Sequence, residues 1–242
     1  MKSPEQARLF MAFAWIVIFF VIEDPVRSQT INDAGMWNTL TVEKDLSKKV
    51  NLYGETEFRL KENYSRPDLL YFEAGAKYKL CKGFRLGLSY RFTGKQNDEK
   101  YYWMGFRFGH RLMLDLHYHY LWRQFIFSWR GRFQGGMKYI YSSDKGQVPD
   151  WEFRDRIEIR YILNRIEPFF NTEINYQFTD PRAPEANFSF YKTRASIGAC
   201  FRINKYNSIE LAFLLQKTWN IDIPSNQYIL NIHYTLSLPR KK

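Results

Sequence analysis

Charged side chains recur at every second position along several segments of the chain, as in Glu152, Arg154, Arg156, Glu158 and Arg160. Side chains at spacing two project from the same face of a β-strand. In a barrel, this face lines the interior, where Arg and Lys favour anions if a water-filled path remains. By this alternation, the candidate lumen-lining residues are Arg85, Arg91, Arg107, Arg130, Arg132, Arg154, Arg156, Arg160, Arg194, Glu55, Glu57, Glu152 and Glu158. A narrow anion-selective pore and a closed ionic core both fit this pattern.

A second set of residues, Asp115, His117 and His119, has the same spacing and therefore shares one strand face. Two imidazoles and a carboxylate are suited to binding a transition metal or to relaying protons. Metal sites, however, usually gather their ligands from several elements and support them with a second layer of hydrogen bonds. We therefore interpret the three as hydrogen-bonded lining residues and expect neither a metal nor another cofactor.

Motifs for catalysis are absent from the sequence. It contains no Gly-x-Ser-x-Gly elbow, Walker loop, dinucleotide-binding glycine pattern or zinc spacing. A hydrolase acting on lipids from within a barrel is the minor alternative, and we expect that the protein is not an enzyme. Nucleic acid is not an expected partner, because the basic residues follow the strand period and form no continuous stripe.

The first 28 residues have the composition of a signal peptide. Lys2 and Arg8 precede an apolar run from Leu9 to Ile22. Two acids and a proline follow that run. That run is short for a transmembrane helix and suits the apolar region of a signal peptide. Residues 1–28 hold three basic and three acidic side chains, so the net charge of +11 belongs to the exported domain, residues 29–242.

Beyond residue 36, apolar and polar residues alternate with the period of β-strands. Turn-forming residues divide the segments, and we predict twelve strands, with ten to twelve acceptable. The weakest boundary lies at Gly109 and His110, where the apolar phase continues unbroken; merging the two flanking strands gives eleven. The predicted strands are 36–46, 49–62, 68–80, 83–94, 100–109, 111–122, 125–141, 151–163, 165–178, 188–202, 207–219 and 226–238.

Alternation alone fits a soluble periplasmic barrel or sandwich as well as a membrane barrel. Three features favour the membrane. The strands have the length needed to cross a bilayer at a tilt, the polar face carries charges of both signs, and aromatic residues make up 19% of the chain. Several of these aromatic residues fall near strand ends, as in an interfacial girdle: Tyr101, Tyr102, Trp103, Tyr120, Trp122, Trp151, Phe153, Trp219 and Tyr228. The predicted fold is an antiparallel up-and-down transmembrane β-barrel.

Several segments resemble a family of outer-membrane barrels of Bacteroidota known as domain of unknown function 2490. These segments are Asn32–Asn38, Val42–Lys44, Glu57–Asn63, Leu88–Phe92, His110–Leu112, Leu114–Leu116 and Tyr228–Leu230. The resemblance covers nearly the whole exported domain. It implies a barrel in the outer membrane of a Gram-negative bacterium and supplies no catalytic residues.

Together these features predict an integral outer-membrane barrel that contacts outer-membrane lipids and lipopolysaccharide. Its expected role is that of a narrow pore for small anionic solutes or of a non-conducting structural or partner-binding barrel. The two cysteines, Cys81 in a turn and Cys200 on a distant strand, are expected to remain unpaired because disulfides have strict distance limits.

Overall fold

The structure is a computed structural model that describes residues 31–96, 106–138, 149–180, 184–221 and 224–238. These residues form eleven β-strands and one short 3-10 helix, Pro184–Ala186. The strands are β1 (Ile31–Asp45), β2 (Val50–Lys61), β3 (Arg66–Lys79), β4 (Phe84–Gln96), β5 (Phe106–Trp122), β6 (Phe125–Lys138), β7 (Asp150–Tyr161), β8 (Ile166–Thr179), β9 (Ser189–Arg202), β10 (Asn207–Thr218) and β11 (Ser225–Leu238). None of the described residues belongs to a helix long and apolar enough to cross a membrane.

The eleven strands close into one barrel, so the all-β barrel and the accepted range of ten to twelve strands are confirmed. The chosen count of twelve differs from the structure at Gly109 and His110. Both residues lie within β5, where Gly109 pairs with Thr93 on one side and Lys138 on the other. The backbone continues through Gly109 in extended form, in agreement with the unbroken apolar phase. Residues 100–105 and 139–141 of the predicted strands, and the predicted signal peptide, lie outside the described residues.

Closure joins β1 to β11 in parallel, whereas the ten other strand pairs are antiparallel. The expectation of a wholly antiparallel barrel is therefore wrong at this one seam. An odd number of alternating strands brings the first and last into the ring in the same direction. The seam is continuous, with partners from Ile31 and Ser225 to Lys44 and Leu238.

The two ends of the barrel differ. Short turns at one end, which we call the turn end, follow the odd-numbered strands β1 to β9: 46–49, 80–83, 123–124, 162–165 and 203–206. The even-numbered strands end at the other end, which we call the loop end. There the connection 62–65 is short, whereas longer stretches of sequence separate the next four pairs of strands: 97–105, 139–149, 180–188 and 219–224. At the turn end, Gly83 has a φ of 85°, and a Cβ there would lie 2.8 Å from the carbonyl oxygen of His119. All the longer stretches between strands therefore follow even-numbered strands, and 62–65 is the short exception at that end.

Alternation places apolar side chains on the outer face and charged ones on the inner face. Leu88, Leu112 and Ile197 lie outside and are more than half exposed, whereas Glu73, Asp115 and Glu173 lie inside and are buried. Of the aromatic residues predicted near strand ends, Tyr120, Trp122, Trp151 and Tyr228 are exposed large side chains. Tyr101, Tyr102 and Trp103 lie outside the described residues.

The two thiols are free in the structure. Cys81 is exposed in the 80–83 turn, and Cys200 is buried near the end of β9.

The distribution of polar and apolar side chains described above is inverted relative to that of a soluble domain, with charge enclosed and apolar surface outside.

Candidate functional site

Four arginines from four strands form a layer across the barrel interior. Arg59 lies on β2, Arg91 on β4, Arg154 on β7 and Arg194 on β9. Each is paired with a glutamate, and we call these eight residues the arginine layer. The nitrogen-to-oxygen distances are 2.5 Å for Arg59 and Glu57, 2.5 Å for Arg91 and Glu73, 3.0 Å for Arg154 and Glu152, and 3.1 Å for Arg194 and Glu173. Guanidinium–carboxylate pairs are strong, directional contacts. Two of these pairs lie within one strand, and two join neighbouring strands, β3 to β4 and β8 to β9.

Two aromatic rings hold the arginine layer in place. The guanidinium of Arg59 lies 3.8 Å from the ring centroid of Trp37 on β1, and that of Arg194 lies 5.1 Å from the same ring. Arg91 lies 3.7 Å from the ring centroid of Tyr71 on β3. An arginine over an aromatic face gains cation–π attraction, which increases where water is excluded. Trp37 therefore couples two arginines of the layer from the strand that closes the barrel.

Beside this layer, Asp115 and Arg132 form a buried two-pronged ion pair between β5 and β6. Arg132 Nε donates to Asp115 Oδ1 at 2.6 Å, and Nη2 donates to Oδ2 at 2.8 Å. The same Nη2 lies 4.0 Å from Glu73 Oε1 on β3. The contact between Arg132 and Glu73 spans from β6 to β3, across the two strands β4 and β5.

A second link crosses the interior nearer the turn end. Arg160 on β7 donates to Glu210 on β10 at 2.9 Å and to Glu158 at 3.1 Å, and also lies 3.6 Å from Glu167. Arg156 donates to the other oxygen of Glu158 at 2.8 Å. Arginine side chains thus interlock with carboxylates from neighbouring and distant strands at two levels of the barrel.

Several cavities lie along the barrel interior, among them one of about 200 Å³ beside Trp37. A central cavity of about 360 Å³ contains both levels of ion pairs, and a cavity of about 600 Å³ lies towards the loop end. A smaller one of about 280 Å³ lies at the turn end. Arg59, Tyr71, Arg91, Arg154 and Arg194 line both larger cavities. The arginine layer and Tyr71 therefore separate these two spaces.

All thirteen candidate lining residues border the central cavity or one of the cavities at the two ends of the barrel. Ten line the central cavity: Glu55, Glu57, Arg91, Arg130, Arg132, Arg154, Arg156, Glu158, Arg160 and Arg194. Arg107 and Glu152 line the cavity at the loop end, and Arg85 lines the one at the turn end. The structure distributes the charges along the barrel and does not gather them in one ring.

Sequence reasoning did not include three further residues among its thirteen candidates: Lys95, Arg111 and Lys192, which line the cavity at the loop end. Arg111 was missed because the predicted boundary at His110 placed it at the start of a strand, where its direction is undefined. The alternation that places Arg107 and Gly109 on the inner face also places Arg111 there, and this spacing is the sequence signal that would have identified it. The bulged residue Tyr191 lines the same cavity beside Lys192, since the pairing of β8 with β9 skips it.

The Asp115, His117 and His119 set does not converge on one point. His117 Nε2 lies 3.8 Å from Asp115 Oδ2, whereas His119 Nδ1 is hydrogen-bonded to Ser128 Oγ at 2.9 Å. Asp115 itself is held by Arg132. Within the described parts of the chain, no three His, Cys, Asp or Glu side chains are grouped so that they could hold a metal ion.

The pair formed by His119 and Ser128 is the nearest approach to a catalytic arrangement. A serine nucleophile needs an activating base that is itself oriented by a third group, together with an oxyanion donor. Among the described residues, no carboxylate lies within 4.0 Å of His119; Glu158, across from Ser128, is paired with Arg156 and Arg160. The pair therefore lacks the third member of a triad.

Comparison with known proteins gives a family but no activity. No curated protein matches the chain. The model of the family described as Protein of unknown function (DUF2490) matches residues 34–227, from near the start of β1 into β11. This match spans well over half of the chain and confirms the resemblance. The chain belongs to the DUF2490 family of proteins of unknown function.

Proposed function

We propose that this chain is an integral outer-membrane β-barrel whose interior is closed to free diffusion by ion pairs. The closed ring and its exposed apolar outer face support membrane insertion. In hydrocarbon, a free backbone N–H or C=O finds no partner, so strands cross it only as a ring without edges. The turn end would then face the periplasm and the loop end the outside, as in bacterial barrels.

The arginine layer is the observation that best supports a closed interior. An eleven-stranded ring with strands about 4.8 Å apart and tilted by about 40° has a backbone radius of roughly 11 Å. Arginines projecting from both sides span much of that width, and here they are held by glutamates and stacked on Trp37 and Tyr71. Opening a path through them requires breaking buried ion pairs, which is costly.

The second candidate is passage of small anions. The basic lining of the cavity at the loop end favours it, because Arg and Lys side chains in a pore attract anions. On this alternative, the arginine layer would act as a selectivity filter and would have to rearrange during transport. The two candidates differ in whether the wild-type barrel passes small anions.

We propose no catalytic step for the protein. The hydrogen bond between His119 and Ser128 favours the lipid-hydrolase alternative, but both residues lie towards the turn end of the interior strand faces. The partners we propose are the lipids and lipopolysaccharide that surround the outer face. This contact needs only the apolar surface that the barrel already presents.

Membrane insertion is tested by separating inner and outer membranes from cells expressing the full chain. We expect the protein in the outer-membrane fraction, resistant to extraction with carbonate, and migrating faster on gels before boiling than after it. Recovery of unaggregated protein in the soluble periplasmic fraction would contradict the proposal.

The closed interior is tested by solute uptake into vesicles that contain the purified protein. We expect no uptake of glycerol above that of empty vesicles. The pair variant Glu73→Ser/Arg91→Ser, which removes both partners and leaves no lone buried charge, should admit it. The exposed pair Glu62 and Arg66 provides the matched control variant, Glu62→Ser/Arg66→Ser, which should stay closed. Equal uptake by wild type and the Glu73→Ser/Arg91→Ser variant would overturn the assignment.

A further inference from the structure

The cavity at the loop end, which we call the basic chamber, has an excess of positive charge. Of the described residues that line it, eight are Arg or Lys and three are Asp or Glu. Its volume of about 600 Å³ lies in the range of small-molecule sites. Four of the arginines belong to the arginine layer and form the floor. The others surround the space above that floor.

Pairs of like charge face one another on the wall of the basic chamber. In the register of β4 and β5, Arg91 is directly opposite Arg111, and Lys95 is directly opposite Arg107. Like charges directly opposite on neighbouring strands destabilise a sheet. For Arg91 this cost is offset by Glu73, at 2.5 Å. A bound group of opposite charge beside Arg111 and Lys95 would reduce the remaining repulsion.

Three cations of the basic chamber form no close ion pair with a carboxylate in the part of the chain that the structure describes. Within the described ranges, no carboxylate lies within 4.0 Å of the cationic nitrogens of Lys95, Arg111 or Lys192, unlike the four arginines of the floor. Arg111 on β5 and Lys192 on β9 nevertheless lie within electrostatic range of each other and of Glu152. Arg111 also lies within electrostatic range of Asp150. Two strands that are not neighbours thus direct positive charge, partly offset by Glu152 and Asp150, into the same space.

We propose that the basic chamber binds a phosphomonoester group, held by Arg111 and Lys192 with Lys95 at the mouth. A phosphomonoester carries a charge of about −1.5 to −2 and three strong acceptor oxygens, which match several converging cations better than a single carboxylate does. The guanidinium fork of Arg111 suits two phosphate oxygens at once. Gly109 and Gly136 line the wall beside it, and the space over Gly136 is shared by the Asp150 carboxylate and Arg111 Nε.

The rest of the ligand would contact the less polar side of the basic chamber. Leu69, Met137, Ile221 and the bulged Tyr191 line it together with the cations. An aromatic ring and aliphatic side chains beside a phosphate site are suited to a sugar ring. The phosphate itself has two sources, a soluble sugar phosphate entering from the loop end or the headgroup of a lipid at the membrane surface.

Calorimetric titration of the full chain, folded in zwitterionic detergent micelles, tests the proposal. The probes are glucose 1-phosphate, neutral glucose, and micelles doped with phosphatidic acid. We expect binding of glucose 1-phosphate or of phosphatidic acid, the two results distinguishing a soluble source from a lipid source, and no binding of glucose. Binding of neither phosphate probe, or equal binding of glucose, would overturn the proposal.

Variants tie the binding to the two named cations. Arg111→Met/Lys192→Met should weaken phosphate binding roughly tenfold or more, because each hydrogen bond to a charged group contributes about 1.5 to 3 kcal/mol. Lys205→Met, in the 203–206 turn at the opposite end, should bind as the wild type does. Unchanged binding by the Arg111→Met/Lys192→Met variant, measured on folded protein, would refute the site.

Two single variants keep the test independent of the folding of the double variant. Lys192→Arg should keep most of the affinity and Lys192→Met should lose it; equal affinities would count against the site. The inference does not rest on the closed interior. Conductance and phosphate binding are measured in separate experiments. Either the closed interior or the phosphate site can therefore be refuted while the other holds.

Discussion

Asp115 and Arg132 face each other across β5 and β6 and are joined by two hydrogen bonds, of 2.6 and 2.8 Å. Asp115 is 2% exposed and Arg132 6%. Through its 4.0 Å approach to Glu73, the arginine also extends this pair to β3, two strands beyond β5. This cross-strand pair therefore stabilises the pairing of β5 with β6 and also takes part in the ion-pair network of the interior.

Replacing Asp115 with Asn should lower the free energy of unfolding strongly. The change leaves the buried guanidinium of Arg132 without its main counter-charge, and such a loss costs about 3 to 5 kcal/mol. Urea unfolding of the protein in detergent micelles, followed by tryptophan fluorescence, measures the effect. Replacing both partners, as in Asp115→Leu/Arg132→Met, should recover most of the stability.

The control is Glu62→Gln, which breaks the exposed pair with Arg66 at 2.8 Å. Exposed ion pairs contribute about 0 to 1 kcal/mol, so this variant should unfold nearly as the wild type does. Equal losses from Asp115→Asn and Glu62→Gln would show that the interior pair is as well solvated as the surface one.

A charged side chain on the outer face should lower the folding stability most when it lies in the middle of a strand. Leu114, 47% exposed near the centre of β5, should lose about 2 to 4 kcal/mol of folding free energy on replacement with Arg if it faces hydrocarbon. Tyr120→Arg, on the same strand and face but near the turn end, is the matched control and should lose about 0 to 1 kcal/mol. Reversible folding into lipid vesicles gives both values.

An outer face in water would give a different result for the two arginine variants. In that case Leu114→Arg and Tyr120→Arg would change the free energy of folding by similar small amounts. The difference between the two positions, and not either value alone, therefore decides whether β5 crosses a bilayer.

The parallel seam predicts a specific cross-link. Asn38 on β1 is directly opposite Ile232 on β11, and neighbouring strands lie about 4.8 Å apart, within the Cα separation that a disulfide allows. With Cys81 and Cys200 replaced by Ser, the variant Asn38→Cys/Ile232→Cys should form a disulfide on oxidation. Mass spectrometry after digestion detects the linked peptides.

The control for the seam pairs Asn38→Cys with Leu236→Cys. Leu236 lies four residues further along β11, a displacement of roughly 13 Å, which is too far for a disulfide. Efficient cross-linking of this control, or none for the Ile232 pair in folded protein, would contradict an eleven-stranded ring closed by β1 and β11.

Much of the barrel was predictable because the period of two is a local signal. In β7, the alternation of Glu152, Arg154 and Arg156 with Phe153 and Ile157 defines both faces without knowledge of any neighbour. The same reasoning reaches its limit at Asp155. This carboxylate lies on the outer face, where Trp129 Nε1 donates to it at 2.5 Å, and its partner on β6 is 26 residues away.

The pairing inside the barrel was not predictable for the same reason. Arg160 and Glu210 lie 50 residues apart in sequence, and their contact depends on the register of every strand between β7 and β10. The merging of two predicted strands at Gly109 also changed the number of strands from even to odd. An odd number of strands makes the closing seam parallel, whereas an even number would make it antiparallel. The direction of the seam therefore depended on whether a strand boundary was placed at Gly109.

Single-channel recording in planar lipid bilayers tests the closed interior most directly. We expect a silent baseline for the wild-type protein at both voltage polarities, after insertion has been verified. We expect discrete conductance steps for the variant Glu73→Ser/Arg91→Ser/Glu152→Ser/Arg154→Ser, which removes half of the arginine layer. Conductance steps from the wild-type protein equal to those of this variant would refute the closed interior.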